Sequence, residues 1–156
     1  MKAHVADGRR FIERTRQPYD LIFLDAFGSS SVPAHLTTRQ FLVAVRKALT
    51  PGGAVVGNVW DRGMNPLYDS MVRTYQDVFD DLFVLDVNGA GNKILLALPR
   101  KYAGSREEMA ATARALSGAR QFRFDLGEKV EYGFLHATEA NTAGKVLLDA
   151  EQARPR

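Results

Sequence analysis

The chain contains no cysteine and no long apolar run, and each absence excludes a class of protein. Without cysteine there can be no disulfides, no thiolate metal sites and no cysteine nucleophile. The three histidines, His4, His35 and His136, are scattered and lack the spacing of metal ligands. No run of about 18 apolar residues and no signal-peptide pattern is present, so we expect a cytoplasmic protein that does not act at a membrane.

A strong excess of either charge is also missing. The 156 residues carry a net charge of +3, and the arginines are spread along the chain, so a nucleic-acid partner is not favoured. Hydrophobic residues make up 46% and charged residues 25%, which is typical of a globular protein. The length is that of one domain with a sizeable core.

Strand and helix patterns alternate through the first half of the chain. The apolar run at 21–24 predicts a strand covered on both faces of a parallel sheet, and this strand ends at Asp25. A helix begins near Thr37, where Thr37 and Gln40 have capping-box spacing, and the Pro-Gly-Gly at 51–53 stops it before a second strand. A further helix precedes two strands at 82–87 and 93–98 that are joined by a glycine-rich turn. This order predicts an α/β sheet with a terminal antiparallel hairpin.

Asp25 follows a predicted strand directly, at a position where a catalytic residue is expected. In open α/β sheets, ligands bind beyond the carboxyl ends of the strands. A structural interpretation stays open, because an aspartate after a strand also forms turns or caps helices, and Asp7 followed by Gly8 is ordinary turn chemistry. His35 is better interpreted as a loop residue, since the sequence names no partner for it.

Five segments, taken together, resemble the spermidine synthase (polyamine aminopropyltransferase) family, and its bacterial spermidine-synthase-like branch in particular. They read DGRRF at 7–11, YDLIFLDAF at 19–27, VPAHLTTRQF at 32–41, LTPGG at 49–53 and GNKILLALP at 91–99. The resemblance implies part of a methyltransferase-like Rossmann sheet. We therefore expect one domain over 1–156, with a family-like α/β core at 1–99 and a carboxy-terminal extension at 100–156.

The resemblance also implies a reaction and a set of site residues. An amine would attack the aminopropyl carbon of decarboxylated S-adenosylmethionine, with no metal involved. Asp25 matches the catalytic position, where a carboxylate takes the proton of an alkylammonium whose pKa is about 10. Asp7 matches the acidic residue that contacts the adenine amino group, and Gly8 and Ala26 complete the candidate cofactor-binding set.

Three departures from the family pattern leave alternatives open. The glycine-rich turn of the family would lie before Met1, so we expect an exposed edge at the 21–24 strand, covered by a second copy or a partner chain. Gly28 stands where the family has a second aspartate, and the turn at 88–92 lacks its tyrosine. The alternatives are an S-adenosylmethionine-dependent methyltransferase on the same fold and a noncatalytic, truncated relative that acts as an oligomeric interaction module.

Overall fold

The computed structural model describes residues 3–27, 32–87, 89 and 91–152. Within these residues a mixed sheet of five strands forms the centre of the molecule, in the order β1-β2-β4-β3-β5. β1 runs parallel to β2, and the other neighbouring pairs are antiparallel. The predicted α/β sheet with an antiparallel hairpin is therefore confirmed. The strands are β1 (Tyr19–Leu24), β2 (Leu49–Trp60), β3 (Asp81–Asp86), β4 (Asn92–Leu98) and β5 (Phe134–His136).

Helices cover the two faces of the sheet. One face carries α1 (Gly8–Arg14), α2 (Arg39–Lys47) and α3 (Tyr68–Val78), and the other carries α4 (Arg106–Ala119) and α5 (Leu126–Gly133). A 3₁₀ turn at Ala34–Leu36 precedes α2, and a short α6 (Asp149–Gln152) follows the last loop. None of the helices in the described ranges has the length and apolar character needed to span a bilayer.

α2 is fixed by its cap and by its apolar face. Thr38, rather than the predicted Thr37, is the N-cap residue, and its hydroxyl oxygen accepts a hydrogen bond from the Phe41 N–H at 3.3 Å. Phe41, Leu42 and Val45 are almost completely buried against the sheet. Burial of each such side chain stabilises the fold by about 1.5–3 kcal/mol, so this helix holds the loop before it in place.

β1 lies at the edge of the described sheet, and only one of its faces is covered. Ile22 packs into the core, whereas 47% of Leu21 and 67% of Phe23 is exposed. The prediction of a strand covered on both faces is therefore wrong. The reason is that α4 and α5, the helices of that face, pack over β3 and β4, around Phe83 and Leu98, and leave β1 bare.

β2 begins earlier than predicted. The segment 51–53 was expected to end a helix, but it lies within β2, which starts at Leu49. Gly53 is needed there because a Cβ at this position would lie 3.0 Å from the Tyr19 carbonyl oxygen. The pairing register of β1 and β2 shifts at the same place, between Tyr19 and Leu21. The close approach of the two backbones explains the glycine without a helix stop.

The last described residues form a strap across the helices of the first face. We call residues 144–149 the carboxy-terminal strap. The Leu147 side chain is buried, and its N–H donates to the Thr74 hydroxyl in α3 at 2.9 Å. The Leu147 carbonyl oxygen accepts from the Arg39 N–H at 2.8 Å. The strap therefore joins α2 to α3.

Candidate functional site

A groove beside β1 brings together three of the four predicted site residues. Gly8 lies on its α1 side, and Asp25 and Ala26 lie where β1 ends. The volume of the groove is about 390 Å³. Asp7 is the N-cap residue of α1 and directly precedes Gly8. The remaining wall is apolar and contains Phe11, Ile12, Tyr19, Leu21, Ile22, Phe23, Leu24, Leu36 and Phe41.

Asp25 is exposed at the mouth of the groove and is held by one hydrogen bond. The Asn58 Nδ2 donates to Asp25 Oδ1 at 3.0 Å, and the Asn92 Nδ2 donates to Asn58 Oδ1 at 2.7 Å. This relay fixes which end of the Asn58 amide faces Asp25. The other carboxylate oxygen of Asp25 accepts no hydrogen bond from a described residue. That oxygen is free to take a proton from a bound molecule.

Asn58 is a residue of the candidate site that the sequence motifs do not identify. It lies in β2, one position beyond Gly57, the residue that pairs with Leu24. A polar amide within the apolar run 54–60 was the available signal. Its partner could not be named because the pairing register of two strands 30 residues apart is set by the packed sheet.

Asp7 is held in place from two sides. Its Oδ1 accepts the Arg10 N–H at 3.0 Å, and its Oδ2 lies 2.9 Å from His35 Nε2. The backbone hydrogen bond from Arg10 and the hydrogen bond from His35 both lower the pKa of Asp7. Asp7 is therefore a carboxylate at neutral pH, and its remaining lone pairs can accept a further donor.

His35 has a partner that the sequence did not reveal. It lies in the 3₁₀ turn before α2, 28 residues after Asp7. Because an ionised carboxylate only accepts hydrogen bonds, the His35 Nε2–H must be the donor. This contact ties the turn before α2 to the start of α1, so both sides of the groove mouth are connected.

An aromatic pair lies beside the polar relay. Phe27, which follows Ala26, packs against Trp60 at the end of β2, with ring centroids 5.2 Å apart. Gly28, where the family has a second aspartate, lies outside the described residues, as do positions 88 and 90 of the hairpin turn. In the part of the chain that is described, no cluster of three or more histidines or carboxylates could hold a metal ion.

A larger cavity of about 760 Å³ lies beside β3 and β5 and contains none of the predicted site residues. Two of the charged side chains that line this cavity already form ion pairs. Lys93 pairs with Asp86 at 2.7 Å, and Arg62 pairs with Asp69 at 2.7 Å. Its size alone therefore does not make it a better candidate than the smaller groove at Asp25.

Comparisons with known proteins connect this groove to a family. No family model matches the chain. A polyamine aminopropyltransferase of Vibrio vulnificus is 32% identical over 159 residues, which cover 99% of this chain and 51% of the relative. The structure of a probable spermidine synthase from Corynebacterium glutamicum has a TM-score of 0.57 and 28% identity, and the match covers 74% of this chain and 44% of that one.

The chain is a relative of the spermidine synthases. It spans about half the length, or less, of the curated aminopropyltransferases it matches first. The resemblance stated from the five segments is thereby confirmed, and the predicted methyltransferase-like sheet is the fold of these neighbours.

Methyltransferases are also among the similar proteins. A bovine eEF1A lysine and N-terminal methyltransferase is 34% identical over 128 residues, which cover 74% of this chain and 18% of that relative. The structure of human methyltransferase-like protein 13 in complex with SAH has a TM-score of 0.68 and 28% identity, covering 80% of this chain and 61% of that one. An S-adenosyl-type ligand is thus bound by a protein of the same fold.

Proposed function

We propose that this chain carries the catalytic groove of an aminopropyltransferase that uses decarboxylated S-adenosylmethionine and a small-molecule amine. The observation that carries the proposal is the meeting of Gly8, Asp25 and Ala26 in one groove, with Asp7 directly before Gly8 in the chain. These residues come from two separate segments of the sequence, 7–8 and 25–26. The kinship with polyamine aminopropyltransferases supports the same reaction.

Each residue has a distinct part in the proposed reaction. Asp7 accepts a hydrogen bond from the adenine amino group. Gly8 has no side chain and Ala26 has only a methyl group, so the nucleoside can approach the backbone there. Asp25 takes one proton from the substrate ammonium, and the nitrogen lone pair then attacks the aminopropyl carbon. The bond from that carbon to the sulfonium breaks, its electron pair stays on sulfur, and neutral methylthioadenosine leaves.

Asn58 orients the proposed base. Since its Nδ2 engages Asp25 Oδ1, the other oxygen of Asp25 is left as the acceptor for the ammonium proton. The sulfonium is a good leaving group without help, so supplying an uncharged amine is the harder requirement. The arrangement places one aligned carboxylate at that step.

A methyltransferase is the second candidate, favoured by the higher TM-score of the SAH-bound human neighbour. The same groove would then hold S-adenosylmethionine, and Asp25 would deprotonate a nucleophile that attacks the methyl carbon. If the chain binds no adenosyl ligand, the remaining proposal is a noncatalytic interaction module. The proposed cellular location remains the cytoplasm.

The partner we propose for the β1 edge is a second copy or another chain. Leu21 and Phe23 are exposed side chains of β1, and the outer edge of this strand pairs with no described strand. Exposed strand edges with apolar side chains favour association.

Calorimetric titration of the purified chain tests the reaction class. Decarboxylated S-adenosylmethionine and methylthioadenosine should bind more tightly than S-adenosylmethionine if the chain is an aminopropyltransferase, and the reverse order would favour the methyltransferase. No binding of any of the three at about millimolar concentration, a free energy near −4 kcal/mol, would overturn both enzymatic proposals.

The variant Asp25→Asn then tests the base. We expect aminopropyl transfer to fall by about 10²–10⁴-fold, because a general base is removed. Nucleotide affinity should stay nearly the same, since Asp25 contacts the amine rather than the adenosine. Unchanged turnover would remove Asp25 as the base.

A further inference from the structure

The carboxy-terminal strap reaches the groove mouth through one arginine. Arg9 Nη1 and Nη2 donate to Asp149 Oδ1 and Oδ2 at 2.8 and 2.7 Å. This is the two-bond fork geometry that arginine forms with carboxylates, and it fixes direction as well as distance. Arg9 lies two residues after Asp7 and one after Gly8, so the pair sits beside the proposed adenosyl site.

Arg9 joins three segments. Besides Asp149, its Nε donates to Glu13 Oε1 at 2.8 Å, and its Nη1 donates to the His35 carbonyl oxygen at 3.3 Å. The Arg9 side chain is only 20% exposed, so it is held between the segments and does not extend into solvent. Helix α1, the 3₁₀ turn and the strap therefore meet at one guanidinium group.

Asp149 is itself well anchored. Its N–H donates to Gln40 Oε1 at 3.3 Å, and Leu147, two residues earlier, is buried against α3. The Arg9 guanidinium holds the pKa of Asp149 below its ordinary value, and the Thr38 hydroxyl lowers it further. Asp149 is therefore a fixed negative charge on the α2 side of the groove.

The contacts continue from Arg9 to the proposed adenine-binding carboxylate. Arg9 holds the backbone of His35, and the His35 imidazole donates to Asp7 at 2.9 Å. The chain of contacts thus runs from Asp149 through Arg9 and His35 to Asp7. Each link is a hydrogen bond with a defined direction.

We propose that Asp149 is a positioning residue for the adenosyl ligand, acting through Arg9 and His35 to orient the Asp7 carboxylate. The identity of the ligand rests on the proposed function above. Asp149 does not line the groove and touches no substrate. Its effect is on the direction in which Asp7 presents its free lone pairs to the adenine amino group.

A role limited to stability predicts a different result. Partly exposed ion pairs contribute little to the free energy of unfolding. Loss of the Asp149 carboxylate should therefore weaken ligand binding far more than it weakens the fold. The Arg46 to Asp80 pair is a matched control, since Asp80 and Asp149 side chains are both 39% exposed and each contacts an arginine at 2.7 Å.

The test compares Asp149→Asn, Asp149→Glu, Arg9→Lys and the control Asp80→Asn in the full chain. For methylthioadenosine, we expect Asp149→Asn and Arg9→Lys to raise Kd by about tenfold or more, the loss of one charge-assisted hydrogen bond. Asp149→Glu should recover part of this loss, because it keeps the carboxylate. In the transfer assay, KM for the nucleotide should rise while kcat stays unchanged.

NMR titration of the Asp7 carboxyl carbon provides a readout that needs no ligand. In Asp149→Asn the pKa of Asp7 should rise towards its ordinary value, because the hydrogen bond from His35 is loosened. Asp80→Asn should leave it unchanged. An unchanged pKa of Asp7 in Asp149→Asn would overturn the positioning role. If the unaltered chain binds methylthioadenosine, an equal Kd for Asp149→Asn would overturn it as well.

The two proposals fail in different ways. If the unaltered chain binds no adenosyl ligand, the proposed function falls and with it the assigned ligand. The Asp7 titration still decides whether Asp149 orients Asp7 through Arg9.

Discussion

Asn58 is the residue that orients the proposed base, Asp25, through its side-chain amide. It connects Asp25 to Asn92 and so fixes the carboxylate against rotation. We predict that Asn58→Ala lowers kcat by about tenfold to a hundredfold with little change in nucleotide affinity, because a misplaced catalytic group loses much of its orientation. Steady-state kinetics with the amine as the varied substrate measures this change.

Asn92→Ala provides the graded control for Asn58. It removes only the group that orients the Asn58 amide, so its effect on kcat should be smaller. If Asn92→Ala were as damaging as Asn58→Ala, the relay would not act through Asp25 alone.

Asp81 makes stability depend on pH. Its side chain is 4% exposed and binds His136 Nε2 at 2.6 Å and the Tyr102 N–H at 2.9 Å. Burial raises the pKa of Asp81, but these hydrogen bonds outweigh burial, and the pKa lies below its ordinary value. A lowered folded-state pKa stabilises the fold above the unfolded pKa of about 3.9, and this contribution is lost as pH falls below it.

Urea unfolding between pH 6 and pH 3 checks this prediction. The unaltered chain should lose stability steeply below about pH 4, and Asp81→Asn should show a shallower fall. At pH 6 the variant should be about 1–3 kcal/mol less stable, because a buried charged acceptor is gone. Parallel pH profiles for the two proteins would exclude Asp81 as the cause.

Residues near Asp25 show how far sequence reasoning reached at the site. The motifs name Asp25, Asp7, Gly8 and Ala26. The structure brings Gly8, Asp25 and Ala26 into one groove and places Asp7 directly before Gly8, while the roles of all four stay predictions. The hydrogen bonds from His35 to Asp7 and from Asn58 to Asp25 could not be predicted, because both join residues that only the packed sheet brings within reach. A sequence motif identifies the residues of the site, but their hydrogen-bond partners depend on how distant segments are aligned in the folded sheet.

At the scale of elements, local signals predicted well where a helix carries its own cap. Ser105 and Glu108 have the spacing of a capping box, and both of its hydrogen bonds are present at the start of α4. Phe122, Phe124 and Leu126 alternate with polar residues, a pattern typical of a strand, yet α5 begins at Leu126 after the N-cap residue Asp125. Packing on α4 overrides the short alternating pattern there.

The strap depends on one glycine. A Cβ at Gly144 would lie 2.2 Å from the Asp69 carbonyl carbon and 2.5 Å from the Ser70 nitrogen, which are backbone atoms that cannot rotate away. We predict that Gly144→Ala lowers the free energy of unfolding by about 1–3 kcal/mol through overpacking. Denaturant unfolding measures the loss.

Gly52→Ala is the matched control for the strap glycine. A Cβ there meets nothing within 4 Å, so the change in stability should stay within about 0.5 kcal/mol. Equal effects of the two substitutions would show that the strap does not need its close contact with α3.

For the whole molecule, the bare face and outer edge of β1 set the expected behaviour in solution. Phe23 is 67% exposed and Leu21 is 47% exposed on the same side of this strand. We predict that the chain self-associates through β1 and that Phe23→Lys raises the dissociation constant by about tenfold or more, since a charge on an edge strand opposes pairing. Sedimentation velocity at several concentrations measures this.

Leu135→Lys is the control for the β1 edge. Leu135 is 64% exposed in β5 at the opposite side of the sheet, so its substitution should leave association through β1 intact. If the unaltered chain sediments as a monomer at all concentrations, the prediction of self-association through β1 is contradicted.

The contact of Arg9 with Asp149 joins positions 140 residues apart. During synthesis, α1, β1 and the groove wall can form as soon as their residues emerge, but Arg9 must wait for Asp149. Closing so long a loop is entropically costly and belongs to the late steps of folding. In a nascent chain paused before the strap, Arg9 therefore lacks the carboxylate of Asp149. We expect such a chain to display the groove but to bind the adenosyl ligand more weakly until Asp149 has emerged.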